Sequence, residues 1–186
     1  LSGSSIVTQP EEVRRKIGFL TSELKLEDFF TPDYLYDFFS ELYGIPTDRR
    51  DARKRMLFAR FGIQEFAQVR VRDLSTGMKQ KVSLVISLVQ DPEIIIFDEP
   101  TNGLDILTAK VVTDYLLDLK EQGKTIIIST HIFSLVEKIC DRVGIIINGR
   151  MAACEDLRTL CGDKSLEDRF FEIYEAVNGE DENHDK

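Results

Sequence analysis

The sequence has 186 residues, enough for one domain with its own core or for one domain plus a small lobe. Of these residues 42% are hydrophobic and 31% charged, which is ordinary for a soluble globular protein. Its net charge of −9 argues against a general nucleic-acid binder, because such proteins are usually basic. No apolar run reaches the roughly 18 residues that a transmembrane helix needs. Three cysteines without a CxxC pair indicate reduced thiols in a cytosolic protein.

The first half of the chain predicts a short strand and then three helices. Residues 14–20 end in an apolar run typical of a strand, and Thr31-Pro32 has the features of a helix start, with Gly44 just past its end. The next helix, over 47–60, is capped by Thr47 or Asp48 and is strongly basic. A buried face of the first helix is expected from apolar residues at helical spacing: Leu35, Phe38, Phe39 and Leu42.

Two interpretations of the basic helix stay open. Its arginines, Arg49, Arg50 and Arg53 among them, form either a solvated face or a docking face for an acidic partner. The third helix runs from Ser75 to about Gln90, where Asp91-Pro92 stops it.

The second half predicts strands alternating with helices. The runs EIIIFDEP (93–100) and TIIIST (125–130) are rich in isoleucine and are typical of strands buried on both faces. A helix over 105–121 separates them, another begins at His131, and Asn148-Gly149 predicts a hairpin. Helices near 155–160 and 166–177 follow, and residues 179–186 form an acidic tail. This order implies a parallel sheet with helices on its faces.

Two carboxylates follow the first buried strand directly. At the carboxyl end of such a strand, Asp98 is suited to hold Mg²⁺ and Glu99 to orient an attacking water. The alternative is a pair of acidic residues at the start of a helix. His131 follows the second strand, where it either contacts a phosphate or water or is simply structural.

An anion site is also possible at the start of the third helix. Free backbone N–H groups and the Ser75 hydroxyl, with Thr76 beside it, would bind a phosphate, and Gly77 would allow its close approach. Helix capping alone explains Ser75 equally well.

Four motifs in order, LSTGM, FDEP, TNGLD and STH, resemble those of the ATPase subunit of ABC transporters. They correspond to the signature, the Walker B strand, the D-loop and the switch histidine of that family. The segments IGFLTSELKLEDFFTPDYLYDFFSELYG and SLEDRFFEIY resemble the branch of sodium and drug multicomponent exporters. The resemblance covers nearly the whole chain.

The resemblance implies an α/β fold of the P-loop NTPase, RecA-like type: a parallel sheet with an α-helical subdomain, here without its N-terminal strands and phosphate loop. It implies four segments. These are a remnant of the N-terminal core and Q-loop region (1–31), the helical subdomain ending in the signature helix (32–90), the core with Walker B, D-loop and H-loop (91–160), and the C-terminal helix and tail (161–186).

The resemblance also implies a mechanism that uses ATP and Mg²⁺. Two ATPase subunits would pack head to tail on an integral membrane permease at the inner face of the cell membrane, with no role for nucleic acid. Asp98 would hold the metal, Glu99 would activate water and His131 would contact the γ-phosphate. The signature residues Ser75, Thr76 and Gly77 would bind the nucleotide of the partner, and Asp105 would link the two sites.

The sequence departs from the family in lacking a phosphate loop, GxxxxGK[ST]. The tripeptide at 123–125 does not qualify, because Asp118 stands where the first glycine is required and a strand follows. The chain begins with Leu1 rather than Met, and we expect the missing part to be N-terminal. Ser22 occupies the position of the Q-loop glutamine, and Met78 ends the signature in place of glutamine.

Three functions are therefore open. The first is an energy-coupling ATPase of an exporter, seen as a fragment that alone neither binds ATP tightly nor hydrolyses it. The second is a non-catalytic scaffold that supplies its signature in trans. The third is an ABC protein acting on ribosomes or DNA, which the lack of paired domains or coiled coils disfavours.

Overall fold

The computed structural model describes residues 3, 5–21 and 26–184, with the side chains of the last helix described as far as Gly179. The chain divides into two compact units, Leu1–Ser129 and Thr130–Lys186. This division falls within the predicted segment 91–160. The organisation into four segments remains a prediction.

The first unit contains a three-stranded parallel sheet in the order β1-β2-β3. Its elements are α1 (Pro10–Lys16), β1 (Ile17–Leu20), α2 (Pro32–Leu42), α3 (Thr47–Phe61), α4 (Thr76–Ser87), β2 (Ile94–Asp98), α5 (Ile106–Glu121) and β3 (Thr125–Ser129). The parallel sheet predicted from the sequence is confirmed. The short helix α1 was not predicted, because PEEVRRK has no apolar periodicity.

One face of the sheet is packed and the other is largely open. Leu20, Ile95 and Phe97 are at most 1% exposed. On the opposite face, pairing aligns Phe19 with Ile96 and Ile96 with Ile127, and the two outer members are more than half exposed. The prediction that β3 is buried on both faces is therefore wrong: β3 is an edge strand, and alternate residues of it are exposed.

The helix α2 begins as predicted, with the Thr31 hydroxyl oxygen accepting from the N–H of Tyr34. Its buried face includes Leu35, as predicted, and Phe39 is half-buried, but the rest of the predicted face differs. Phe38 and Leu42 are 47% and 66% exposed, whereas Tyr36 is fully buried against Phe58 of α3, ring centroids 5.5 Å apart. A tyrosine thus shifts the buried stripe by part of a turn, because its ring is apolar enough to anchor the helix.

The basic helix α3 uses its charges within the unit. Ion pairs join it to α2, to the turn before β2 and to α5: Arg50–Asp37 (3.3 Å), Lys54–Asp37 (3.1 Å), Arg53–Asp91 (3.1 Å) and Arg60–Asp118 (2.6 Å). Neither a purely solvated face nor a free docking face describes these residues. Predicted capping by Thr47 or Asp48 is also wrong, since Pro46 is the N-cap and no side chain caps the helix.

The second unit packs a hairpin against helices. It contains α6 (Phe133–Ile139), β4 (Arg142–Ile147), β5 (Arg150–Asp156), α7 (Leu157–Cys161) and α8 (Leu166–His184). Ile145, Ile147, Leu160 and Leu166 form its core. The hairpin around Asn148-Gly149 is confirmed: both residues have positive φ, 50° and 74°, as a type I′ turn requires. The helix predicted from His131 begins two residues later, at Phe133.

Gly18 allows β1 to lie directly against the end of α4. A Cβ at this position would be 2.6 Å from the Ser87 carbonyl oxygen and 2.7 Å from Pro92 Cγ. We expect Gly18→Ala to destabilise the first unit by about 1–3 kcal/mol, because backbone must move to admit the methyl group. Urea denaturation followed by circular dichroism measures this.

Gly179→Ala is the matched control, because a Cβ there would have nothing within 4 Å. It should not destabilise the chain, since alanine is the better helix former. A Gly18→Ala protein with the parent's denaturation midpoint would contradict the close packing of β1 on α4.

Candidate functional site

The carboxyl ends of β2 and β3 bring a carboxylate and a hydroxyl together. Asp98 is paired in register with Ser129, and the Ser129 hydroxyl donates a hydrogen bond to Asp98 Oδ1. Both residues end their strands, so their side chains lie at the edge where open α/β sheets bind ligands. Asp98 is half-buried, which leaves it accessible from the loops at this edge.

Glu99 has an unusual backbone conformation. Its φ is 48°, in the left-handed region, and its N–H donates to the Ser129 carbonyl oxygen over 2.9 Å. A non-glycine residue in this region costs of the order of 1–3 kcal/mol and such residues concentrate at functional sites. Asp98 and Glu99 are named the carboxylate edge below.

The start of α4 is built as an anion site requires. The Ser75 hydroxyl oxygen caps the helix by accepting from the N–H of Met78 over 3.3 Å, and Ser75 and Thr76 are exposed. The N–H groups of a first helical turn have no partner within the helix and point toward solvent. Together with the helix dipole they favour a bound anion. Residues 75–77, where the sequence predicts an anion site, are called the anion-binding segment below.

The anion-binding segment lies next to the loop that follows the carboxylate edge. A Cβ on Gly77 would be 3.7 Å from the carbonyl oxygen of Gly103, which has a φ of 72°. Thr101, in the same loop, is 8% exposed, and its hydroxyl has no hydrogen-bond partner within the described residues. The loop that follows β2 therefore lies beside the start of α4.

Asp105 caps α5. Its Oδ1 accepts from the N–H groups of Leu107 and Thr108, both at 3.0 Å, and its Oδ2 accepts from the Thr108 hydroxyl at 2.7 Å. The Thr108 hydroxyl bond is the main reason that the pKa of Asp105 is lowered, and the backbone bonds add to it. Asp105 fixes the end of the TNGLD loop to a helix.

Two further predicted site residues, His131 and Ser22, stay predictions. His131 belongs to the second unit, two residues after β3, and is exposed. Ser22, the residue at the Q-loop position, lies outside the described residues.

The residues present fit a metal ion that takes most of its ligands from groups other than protein side chains. Within residues 3, 5–21 and 26–184, no group of three or more His, Cys, Asp or Glu side chains could hold a metal. Mg²⁺ commonly takes one or two protein carboxylates and obtains its other ligands from phosphates and water. Asp98, with Ser129 beside it, would supply that single carboxylate.

Sequence reasoning did not select Ser129 or Thr101. Ser129 could have been found by aligning the ends of TIIIS and IIIFD, because parallel strands in register pair their last residues. Thr101 gives no such signal, since its burial depends on the path of the loop.

Comparison with known proteins agrees with this architecture. The ABC transporter family profile matches residues 1–102. ABC transporter ATP-binding protein NatA of Bacillus subtilis is 37% identical over 169 residues, covering 90% of this chain and 69% of that protein. A fluoroquinolones export ATP-binding protein of Mycobacterium tuberculosis is 36% identical over 118 residues, covering 63% and 38%.

Solved structures give the same result. The ATP-binding subunit of an ABC transporter superposes with a TM-score of 0.88 at 27% identity, covering 94% of this chain and 75% of that one. A dimeric ATP-binding cassette bound to ADP and Pi has a TM-score of 0.71 at 24% identity, a likeness of fold, covering 84% and 69%.

The fold is that of the P-loop NTPases, as the structural neighbours are ABC ATPase domains. The chain belongs to the family of ABC transporter ATP-binding proteins. It spans between about half and two thirds of the length of three curated relatives, at 69%, 57% and 48%.

The Asp105 cap predicts a pH dependence of stability. Because the folded carboxyl has a lowered pKa, its ionised form favours the folded state. This contribution is complete above the ordinary aspartate pKa of about 4 and is lost as the pH falls through the lowered value. We expect Asp105→Ala to lower the urea midpoint at pH 7 and to differ less from the parent at the lowest pH.

Asp105→Asn is the matched control, because asparagine caps helices well but does not titrate. The urea midpoint of this variant should remain close to that of the parent at pH 7. If Asp105→Ala had the parent's midpoint at pH 7, the cap would have no role in stability.

Proposed function

We propose that this chain is the ATP-hydrolysing subunit of an ABC transporter and that the transporter is an exporter. The observation that carries the proposal is the carboxylate edge at the end of a buried parallel strand, with the capped start of α4 next to the following loop. Export is supported by relatives named for fluoroquinolone export, linearmycin resistance and Nod factor export.

In this proposal each residue has a defined chemical role. Bound Mg²⁺ would neutralise charge on the phosphates, and Asp98 would hold it. Glu99 would orient a water molecule and accept its proton, for which its fixed backbone is an advantage. His131 would hydrogen-bond the γ-phosphate, and Ser22 would stand where the family has a glutamine near the attacking water.

The anion-binding segment would act on a nucleotide held by a second subunit. An exposed helix start with a serine cap and a glycine can approach a phosphate across an interface. A head-to-tail pair of ATPase subunits would use it in this way, and Asp105 would fix the loop between the two sites. The sequence contains no phosphate loop of its own, so ATP binding within the 186 residues alone is expected to be weak.

The proposed place of action is the inner face of the cell membrane, on a membrane permease. Among the described residues, no helix combines the length and apolar character needed to cross a bilayer. The net charge of −9 disfavours nucleic acid as a partner. Membrane attachment would therefore depend on contact with the permease.

Phe29 and Phe30 are the proposed anchor for that contact. They are 72% and 39% exposed, and Phe30 begins an aromatic ladder, stacking on Tyr34 at 4.5 Å. Tyr34 stacks in turn on Phe38 at 6.4 Å. Beside the ladder lies an apolar groove of about 770 Å³, which Phe19 and Ile96 also line. Exposed aromatics beside an apolar groove are typical of interface hot spots.

The arginines of α3 have a smaller part in docking than their number indicates. Arg50 and Arg53 form ion pairs within the unit, so a charge reversal there would disturb the lobe itself. Arg49 has no ion pair among the described residues and remains the one rim charge of the three that is available for encounter.

The function is tested by Glu99→Gln in the assembled transporter. We expect ATP turnover to fall by about 10³-fold or more with nucleotide binding retained, because the amide cannot accept a proton from water. Measurements of phosphate release and of nucleotide binding on the same preparation separate the two effects.

Gly77→Asp is the companion variant. If this chain only supplied its signature to a partner, Glu99→Gln would retain full turnover while Gly77→Asp abolished it. Turnover within tenfold of the parent in Glu99→Gln would therefore reject the hydrolytic role and support the scaffold.

Docking is tested by photo-crosslinking from benzoylphenylalanine placed at Phe29. We expect it to label the membrane subunit of the assembled transporter. Phe171, which is 51% exposed on α8, is the matched control position and should not label it. Labelling from Phe171 and not from Phe29 would assign docking to the C-terminal helices instead.

A further inference from the structure

The turn between α4 and β2 is held by charged side chains from both sides. Arg53 of α3 donates from Nε to the carbonyl oxygen of Leu88, the C-cap of α4, over 3.1 Å. Its Nη2 lies 3.1 Å from Asp91 Oδ1, an ion pair without hydrogen-bond alignment. Lys124, just before β3, donates to the same Oδ1 at 3.0 Å and to the Asp91 carbonyl oxygen at 3.1 Å.

Asp91 has the conformation that a tight reversal needs. Its φ is 55°, in the left-handed region that aspartate tolerates better than most residues, and its N–H also donates to the Leu88 carbonyl oxygen, over 3.1 Å. Leu88 is fully buried, and the side chains of Arg53 and Lys124 are only 19% and 16% exposed. The hydrogen bond from Arg53 to Leu88 is therefore shielded from solvent, whereas the two ion pairs end on Asp91, which is 54% exposed.

The charge of Arg53 also affects two largely buried tyrosines on other helices. Burial raises the pKa of Tyr36 of α2 to about 12, against the opposing effect of the Arg53 charge. Burial likewise raises the pKa of Tyr115 of α5, and Arg53 again opposes the shift. The Arg53 charge thus acts on groups of α2 and α5 as well as on the turn.

Both elements that leave this turn carry candidate site residues at their far ends. The helix α4 has 12 residues and is about 18 Å long, and β2 has five residues and is about 17 Å long. A change of 10° in the angle at the turn would move the start of α4 by about 3 Å relative to the end of β2, from the length of the helix. Misplacement of a catalytic group by about 1 Å can lower a rate 100-fold.

We propose that Arg53 is a positioning residue, which fixes the angle between α4 and β2 through Asp91 and Lys124. This angle sets the distance between the anion-binding segment and the carboxylate edge. Arg53 touches neither, and it acts only through the turn. The consequence for ATP turnover rests on the proposed function, whereas the fixed angle does not.

A general stabilising role is the alternative, and Arg60 provides the control for it. Arg60 lies on the same helix, forms an ion pair with Asp118 at 2.6 Å, and stacks over the ring of Tyr115 at 4.9 Å. It thus joins α3 to α5 as Arg53 joins α3 to the turn. No hydrogen bond or ion pair connects it to Leu88 or Asp91 among the described residues.

The test measures distance in the 186-residue chain by pulsed electron paramagnetic resonance. Spin labels replace Lys79, near the start of α4, and Asn102, exposed in the turn that follows β2, with the native cysteines changed to serine. We expect Arg53→Met to shift or broaden the distance distribution by about 3 Å or more, given the length of α4. Arg60→Met should keep the parent's distribution, although it also loses an ion pair.

Asp91→Asn breaks the same contact from the other side and decides the result if Arg53→Met does not fold. Asp91 has a side chain 54% exposed, and asparagine tolerates its backbone conformation. Parent-like distributions in Asp91→Asn and in any folded Arg53→Met would overturn the proposal, even if both proteins were less stable. Because no nucleotide is present, this outcome is independent of whether the chain belongs to a hydrolytic subunit.

Discussion

The parallel pairing of β2 with β1 on one side and β3 on the other determines where the candidate groups of the first unit lie. In a parallel sheet every strand runs the same way, so all carboxyl ends meet at one edge. Asp98 comes opposite Ser129 for this reason, although 31 residues separate them. The same pairing turns the Ser129 carbonyl oxygen toward the N–H of Glu99 and so fixes that residue's backbone.

The pairing also places the candidate site residues at one edge of the sheet and the contacts that hold its turns at the opposite edge. Loops at the carboxyl edge carry the carboxylates and the TNGLD segment, while the turns at the opposite edge carry Asp91 and Lys124. Gly18 allows the end of α4 to approach β1 closely at that second edge. Rigid packing at one edge and accessible polar groups at the other are what a site built on a rigid scaffold requires.

Local patterns predicted much of this arrangement, and long-range packing accounts for what they missed. The strands, the Asn148-Gly149 hairpin and the Thr31 cap each depend on a few adjacent residues, and all are confirmed. The buried face of α2 was predicted only in part: Leu35 is buried as expected, but Tyr36 contributes a ring to the core that a count of aliphatic and phenylalanine residues omits.

The arginines of α3 show more clearly that local patterns do not reveal long-range contacts. Their number in one helix indicated a surface property, but the partners of Arg53 lie 35 and 38 positions further along the chain. No local pattern relates those positions. Strand β3 was expected to be covered because its isoleucines are typical of a buried strand, yet Ile127 lies on the open face of the sheet and is 53% exposed.

The hairpin turn of the second unit has a chemical consequence as the protein ages. In an Asn-Gly pair, the Gly149 nitrogen can attack the Asn148 side-chain carbonyl carbon and release ammonia, and hydrolysis of the ring then yields isoaspartate. That product adds a methylene to the backbone of a two-residue turn, which shifts the pairing of β4 with β5. Asn148 Nδ2 donates to Asn178 Oδ1 of α8 over 3.2 Å, and ring closure requires this contact to break. Deamidation of Asn148 would therefore also remove this link between the hairpin and α8.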